Sequence, residues 1–152
     1  MQYVLQTPLQ KSDLAPLKAG DTVLLSGVVY TARDAAHARM MELLDKGEEL
    51  PFPIEGAAVY YVGPTPERPG CAIGAAGPTT SGRMDAYTPR LLDLGLACMI
   101  GKGKRSEAVK QSVVKNGAVY LAAIGGAGAL MANSVQSCEI IAWPDLACEA
   151  VR

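Results

Sequence analysis

Apolar positions in this chain fall into short bursts divided by turn formers, and the spacing inside the bursts switches between strand-like and helix-like periods. Thr22 to Tyr30 is rich in Val and Leu and follows the turn signal Ala19-Gly20-Asp21, which predicts a buried strand. From Asp34 to Lys46 the apolar positions Ala36, Met40, Met41, Leu43 and Leu44 suit a helix, and Gly47 is placed to stop it. Arg33 therefore stands where a strand hands over to a helix. Ala57 to Val62 alternates small and aromatic residues into Gly63-Pro64 and predicts a second strand, whereas the prolines between Pro64 and Gly70 predict irregular chain. Cys71 to Ala76 is a short strand candidate, and Met84 to Gly95 a second helix. Leu96 to Ile100 (strand), Lys104 to Asn116 (helix, closed by Gly117) and Ala118 to Ala123 (strand) continue the series. Gly125-Gly126-Ala127-Gly128 then opens a small-residue helix to about Asn133, and Val135 to Trp143 supplies a last strand.

Strands and helices that alternate in this way indicate an α/β layer structure, a mixed or parallel sheet with flanking helices. At 152 residues the chain fits one domain able to bury about two thirds of its unfolded surface. No internal repeat or low-complexity linker interrupts it.

The net charge of −1 gives no global field for nucleic acid or an acidic membrane, so an anion site must come from local placement of Arg and Lys. Cys71, Cys98, Cys138 and Cys148 are widely separated, form no C-x-x-C pair, and have only His37 to complete a ligand set. They read as small hydrophobes in a reducing cytosol, and the chain by itself is expected to hold no metal. Met1 to Lys11 lacks the pattern of a signal peptide, and no apolar run reaches the ~20 residues of a membrane span, so a soluble, cytoplasmic protein is expected.

Candidate chemistry gathers in loops. Gly77-Pro78-Thr79-Thr80-Ser81-Gly82-Arg83-Met84-Asp85 combines turn formers, hydroxyls and a guanidinium ahead of an amphipathic segment. Free amides at a helix start favour a carboxylate or phosphate, and Arg83 can add a two-pronged hydrogen bond. The plainer alternative is a capped helix in which Thr79, Thr80 or Ser81 satisfies orphan amides. Arg33, Arg83 and Lys102 each occupy a strand-to-helix transition, and in open α/β sheets ligands collect beyond the carboxyl ends of strands. Such cations could converge on a small dicarboxylate. Gly101-Lys102-Gly103-Lys104 lacks the full phosphate-loop pattern, and Gly125 to Gly128 lacks the acidic residue of a dinucleotide site, which leaves packing as its use. Asp34 suits an N-cap, and His37, four residues from Arg33, reads as a partly exposed histidine or as a group that hydrogen-bonds substrate.

These residues resemble the carboxy-terminal, or β, part of the iron–sulfur-dependent class I fumarases, with tartrate dehydratase as a close relative. The resemblance runs through Leu25-Ser26-Gly27, Thr31 to His37, Lys46-Gly47-Glu48-Glu49-Leu50-Pro51 and Tyr60-Tyr61-Val62-Gly63-Pro64. It continues through Gly77 to Asp85, Ile100-Gly101-Lys102, Val119-Tyr120-Leu121 and Gly125-Gly126, in order over nearly the whole chain. The segments around Glu48 and Tyr60 look more like fumarase than tartrate dehydratase.

What the resemblance implies is a swivelling β/β/α domain that closes over a 4Fe-4S cluster held by a separate α subunit and not by this chain. The implied chemistry is reversible addition of water across fumarate to give (S)-malate. The resemblance assigns substrate carboxylates to Arg33, Arg83 and Lys102, proton abstraction to Thr79, a neighbouring or substrate-binding hydroxyl to Thr80, and support to Asp34, His37 and Ser81. It implies a hetero-oligomer with the α subunit, a homodimer being the alternative for the isolated chain. Other members continue beyond the Glu149-Ala150 region, so the domain, 1–152, looks shortened at its C-terminus. Tartrate dehydratase activity and a non-catalytic dicarboxylate-binding module remain as alternatives.

Overall fold

The computed structural model describes residues 1–123 and 132–152. Short apolar runs separated by helices cannot form hairpins, because a helix returns the chain to the end from which it started. Strands β3 (Tyr30–Thr31), β4 (Ala58–Tyr60), β5 (Cys98–Gly101) and β6 (Val119–Ala122) accordingly form one parallel sheet in the spatial order β3-β4-β5-β6. The crossovers carry α2 (Asp34–Asp45), α3 (Thr88–Asp93) and α4 (Glu107–Asn116); β1 (Gln2–Gln6), α1 (Lys11–Leu14) and β2 (Thr22–Ser26) precede them.

Alternate residues of β4 and β5 face opposite layers, as the pleat requires. Val59 and Met99, which pair across the sheet, pack with Ala36, Met40, Leu91 and Leu92 of the helices. Ala58 and Cys98 pack on the other side with Leu9 and Leu14, against which Leu5 and Leu25 of a separate two-stranded parallel sheet, β1-β2, also lie. The central strands are thus covered on both faces, and this explains why β4 is apolar without alternation.

Thr22 to Tyr30 is not one buried strand: β2 ends at Ser26, its alternate residues are exposed, and β3 belongs to the other sheet. The break falls at Gly27, whose φ of 103° is a left-handed conformation suited to glycine and whose bare Cα lies against Thr7. Cys71 to Ala76 forms no strand; it is a looped segment held by Thr65, whose N–H donates to the Ala75 carbonyl at 3.0 Å. The helix expected over Met84 to Gly95 starts only at Thr88. Pro89 has no N–H to extend the hydrogen-bond ladder upstream, and a separate 3₁₀ turn, Ser81–Met84, precedes it. The Lys104 helix starts at Glu107 because Ser106 caps it, accepting the Val109 N–H at 3.3 Å.

Val135 to Trp143 gives a single antiparallel bridge, Ala142 to Val151, in place of a strand, and Trp143 turns left-handed (φ 54°) before the 3₁₀ segment Pro144–Glu149. The ladders described are parallel, so the mixed sheet is not seen among the described residues. The helix expected from Gly125 to about Asn133, and the packing role of Gly125 to Gly128, fall largely outside the described residues. Among the described residues no helix is long and apolar enough to cross a membrane.

Candidate functional site

Thr31 ends β3, and Arg33 is the N-cap of α2 with extended backbone (φ −120°) and no side-chain cap hydrogen bond. Asp34 lies inside the first turn and not at the cap, a correction to the sequence reading. The Arg33 carbonyl accepts both the His37 N–H at 2.9 Å and a bond from His37 Nδ1 at 2.8 Å. Since a carbonyl can only accept, Nδ1 carries the proton, and Nε2 is left buried without a hydrogen-bond partner. His37 is fully buried, against the rings of Tyr61 and Tyr87 at 5.5 and 5.9 Å, not partly exposed as expected. Burial pulls its pKa down from 6.5 to about 4, despite the Arg33 carbonyl and the Asp34 charge, which act in the opposite direction. His37 is a neutral ring that fixes the backbone under Arg33.

Two of the candidate cations meet at Asp34. Arg33 Nε lies 3.8 Å from Asp34 Oδ1, and Arg83 Nε lies 3.8 Å from Asp34 Oδ2. Both separations exceed hydrogen-bond length, and Arg33 Nε and Asp34 Oδ1 are buried with unused hydrogen-bonding capacity. Gly63 makes room for this arrangement: a Cβ there would stand 3.0 Å from both Cδ and Nη1 of Arg33.

The Thr79 loop is threaded between the ends of β4 and β5. Thr79 N–H donates to the Tyr61 carbonyl at 2.8 Å, Ser81 N–H donates to the Lys102 carbonyl at 2.9 Å, and Thr80 bridges Lys102 in parallel. Backbone pairing therefore brings Thr79, Thr80 and Lys102 to the carboxyl end of the sheet, with Thr79 half-buried and Thr80 and Lys102 exposed. The 3₁₀ turn that follows carries Arg83, 57% exposed, toward Asp34. Ser81 faces inward, fully buried, with Oγ 2.7 Å from the Tyr120 hydroxyl. Tyr120 donates its own proton to the Gly103 carbonyl at 2.9 Å, so Ser81 is the donor to Tyr120.

Arg105 was not singled out by the sequence. Its side chain is 3% exposed, and its Nε donates to Asp85 Oδ1 at 2.7 Å. Nη2 donates to Thr88 Oγ1 at 2.9 Å and to the Tyr61 hydroxyl at 3.3 Å, and the guanidinium lies over the Tyr61 and Tyr120 rings. Arg105 follows the exposed Lys102 and Lys104 with no local apolar period, so only its burial and its tertiary partners distinguish it from them.

Two clefts lie elsewhere. One of about 230 Å³ is lined by Thr65, Glu67, Ile73, Cys138 and Arg152, the other of about 520 Å³ by Leu44, Glu48, Glu49, Phe52 and Leu94. Neither is lined by Arg33, Arg83 or Lys102. The cysteines are free, with Cys71 and Cys148 exposed and Cys98 buried. Burial pushes the Cys98 thiol up to about 12 and raises that of Cys138. Among the described residues no group of three His, Cys, Asp or Glu is placed to hold a metal ion.

Two guanidiniums about one carboxylate can offer paired hydrogen bonds to a small anion, and Thr79 and Lys102 lie on two loops that pair through their backbones at the same end of the sheet. The family described as fumarase C-terminus matches residues 1–152. Fumarate hydratase 2 of Leishmania major is 38% identical over 151 residues, covering 97% of this chain and 27% of that protein. The aerobic class I fumarate hydratase of Escherichia coli (strain K12) is 42% identical over 129 residues, 84% of this chain and 24% of its own length. A Methanocaldococcus jannaschii protein provisionally named L(+)-tartrate dehydratase subunit beta is 36% identical over 148 residues, 95% of this chain and 75% of its own. The chain thus spans about a quarter of the length of these fumarate hydratases.

Proposed function

The chain belongs to the fumarase C-terminus family, and from that premise we propose that it is the β-type domain of a hydro-lyase that adds water reversibly across fumarate to give (S)-malate. The observation that carries the reading is the meeting of Arg33 and Arg83 at Asp34, beside a loop that brings Thr79 and Lys102 to the same end of the parallel sheet.

In this reading Arg33 and Arg83 grip the substrate carboxylates with paired N–H bonds, and Lys102 adds a movable point charge. Loss of a proton next to a carboxylate builds a second negative charge on that group. Fixed cations stabilise this charge without reorganising, which is where most of their effect on rate arises. Thr79 takes the proton. A threonine is a weak base in water, so it requires a dry, positive surrounding, and Thr80 is the neighbouring hydroxyl that binds. The neutral His37 and the buried Ser81 support the loops from beneath. Asp34 keeps the two guanidiniums from repelling each other before substrate arrives.

The fold reading that goes with this is a swivelling β/β/α domain whose cationic end closes over a partner. The partner is an α subunit, and it holds the 4Fe-4S cluster, which supplies Lewis acidity when present. This chain's described residues do not fit such a cluster, since they offer no grouped ligand set. A tartrate dehydratase is the second reading, favoured by the extent to which the chain covers the M. jannaschii relative.

The test is Arg83→Ala in the complex reconstituted with an α-type subunit, assayed with fumarate, malate and tartrate. Loss of roughly two to three orders of magnitude in kcat/KM is expected. A near-normal value refutes the role of Arg83. Malate binding to the isolated chain, with no turnover in any complex, would point instead to a non-catalytic binding module.

A further inference from the structure

We propose that Arg105, which touches no candidate substrate-binding group, is the positioning residue that sets the Thr79 loop against the Lys102 loop; the inference rests on the hydro-lyase reading for its catalytic consequence. The strip Thr79 to Ser81 is fastened at two places besides its bond to Lys102. Thr79 N–H donates to the backbone carbonyl of Tyr61, and the Ser81 hydroxyl donates to the side-chain hydroxyl of Tyr120. The Arg105 guanidinium lies over both of these rings, 5.2 Å from the centroid of Tyr61 and 5.0 Å from that of Tyr120.

Its carboxylate partner closes the arrangement. Asp85 follows directly on the 3₁₀ turn that carries Arg83, and it accepts Arg105 Nε at 2.7 Å and the Ser106 N–H at 2.8 Å. Ser106 caps α4, the helix that leads from the Lys102 loop. Each end of the loop bearing Thr79 and Arg83 is thereby referred to one rigid guanidinium three residues beyond Lys102. Nη2, bonded to Thr88 Oγ1, adds the start of α3 to the same frame.

A purely stabilising role explains this poorly. With the side chains 3% and 16% exposed, the pair has lost much of its hydration, and buried ion pairs are often replaceable by apolar side chains at little cost in stability. What a planar fork with five donors does provide is direction: Nε is bonded to Asp85 while Nη2 is bonded to Thr88 and Tyr61.

The experiment compares the parent with Arg105→Met/Asp85→Asn, which removes both charges together, and with Arg105→Lys, which keeps the charge and loses the fork. Amide hydrogen exchange at Thr79 and Ser81 is read on the full chain, and kcat and KM on the complex with an α-type subunit. Faster exchange at both amides, a fall of about 100-fold in kcat and a much smaller change in KM are expected for the double variant, as for a displacement of about 1 Å in a reacting group. Parent-like exchange and kcat overturn the inference. Should the double variant not fold, Arg105→Lys carries the test, and parent-like values for it overturn the proposal equally. If the parent complex hydrates no dicarboxylate, the hydro-lyase reading fails by itself, while exchange at Thr79 and Ser81 still decides whether Arg105 positions the loop.

Discussion

The Ser81 hydroxyl occupies the space that a side chain at Gly101 would need. A Cβ on residue 101 would overlap Ser81 Oγ and stand 2.9 Å from Tyr61 Cδ2, whereas the Ser81 Cβ is 3.4 Å away. Gly101 does not have positive φ, so the constraint is one of volume. Gly101→Ala should therefore destabilise the fold by about 1–3 kcal/mol through overpacking. Adding Ser81→Ala should recover part of that loss, because it removes the clashing oxygen. Denaturant melts of the single variants and the pair form a cycle, and strict additivity would contradict the contact.

The buried His37 makes stability depend on pH in a defined window. Its pKa is near the ordinary 6.5 when unfolded and about 4 when folded, so between those values the unfolded chain binds a proton that the folded chain refuses. Stability is fully present above pH ~6.5, falls as the pH drops, and levels off below ~4, for a total of about 3 kcal/mol. His37→Asn retains a donor for the Arg33 carbonyl and does not titrate. Its unfolding free energy should fall less steeply with acid than the parent's, by up to one proton; matching slopes would show that His37 is not buried neutral.

Thr79 and Thr80 should separate cleanly in kinetics. Thr79→Val, in the complex with an α-type subunit, should lower kcat by about 100-fold or more, the range for loss of a positioned base. Thr80 is exposed and is held through its backbone bridge to Lys102. Thr80→Val should alter kcat by less than about 10-fold, since a binding hydroxyl contributes less than the proton-transfer group. A reversal of the two effects would move the base to Thr80.

Thiol reactivity gives an independent check on burial. Alkylation near pH 8 followed by mass spectrometry should modify the exposed Cys71 and Cys148 quickly, because the thiolate is the reacting form and it must be reached. Cys98, with its thiol pushed up to about 12, should react only after unfolding. Equal rates for all would mean that the layer between the two sheets is open.

The alternation of strands and helices was legible because α2 and α4 are long enough to show their period and each is closed by a recognisable stop. Gly47 and Gly117 both take positive φ at the ends of α2 and α4. Strands judged on β-propensity alone fared worse. Val135 to Trp143 has suitable residues, yet of these only Ala142 forms a β-bridge among the described residues. In the opposite direction, β1, bounded by glutamines, is too polar to announce itself, and it exists because β2 pairs with it residue for residue.

By itself the sequence determined the layer class, the strand-to-helix junctions at Arg33 and Lys102, and the family, since these depend on local period, turn chemistry and the order of motifs; Arg83 instead lies in a 3₁₀ turn with no strand immediately before it. Tertiary structure alone decided that Asp34 would stand between two guanidiniums, that His37 would be dry, and that Arg105 would bond Asp85 and lie over the Tyr61 and Tyr120 rings. Those outcomes depend on which distant side chains share a volume and how much water is left there, and neither quantity is written in the spacing of residues along the chain.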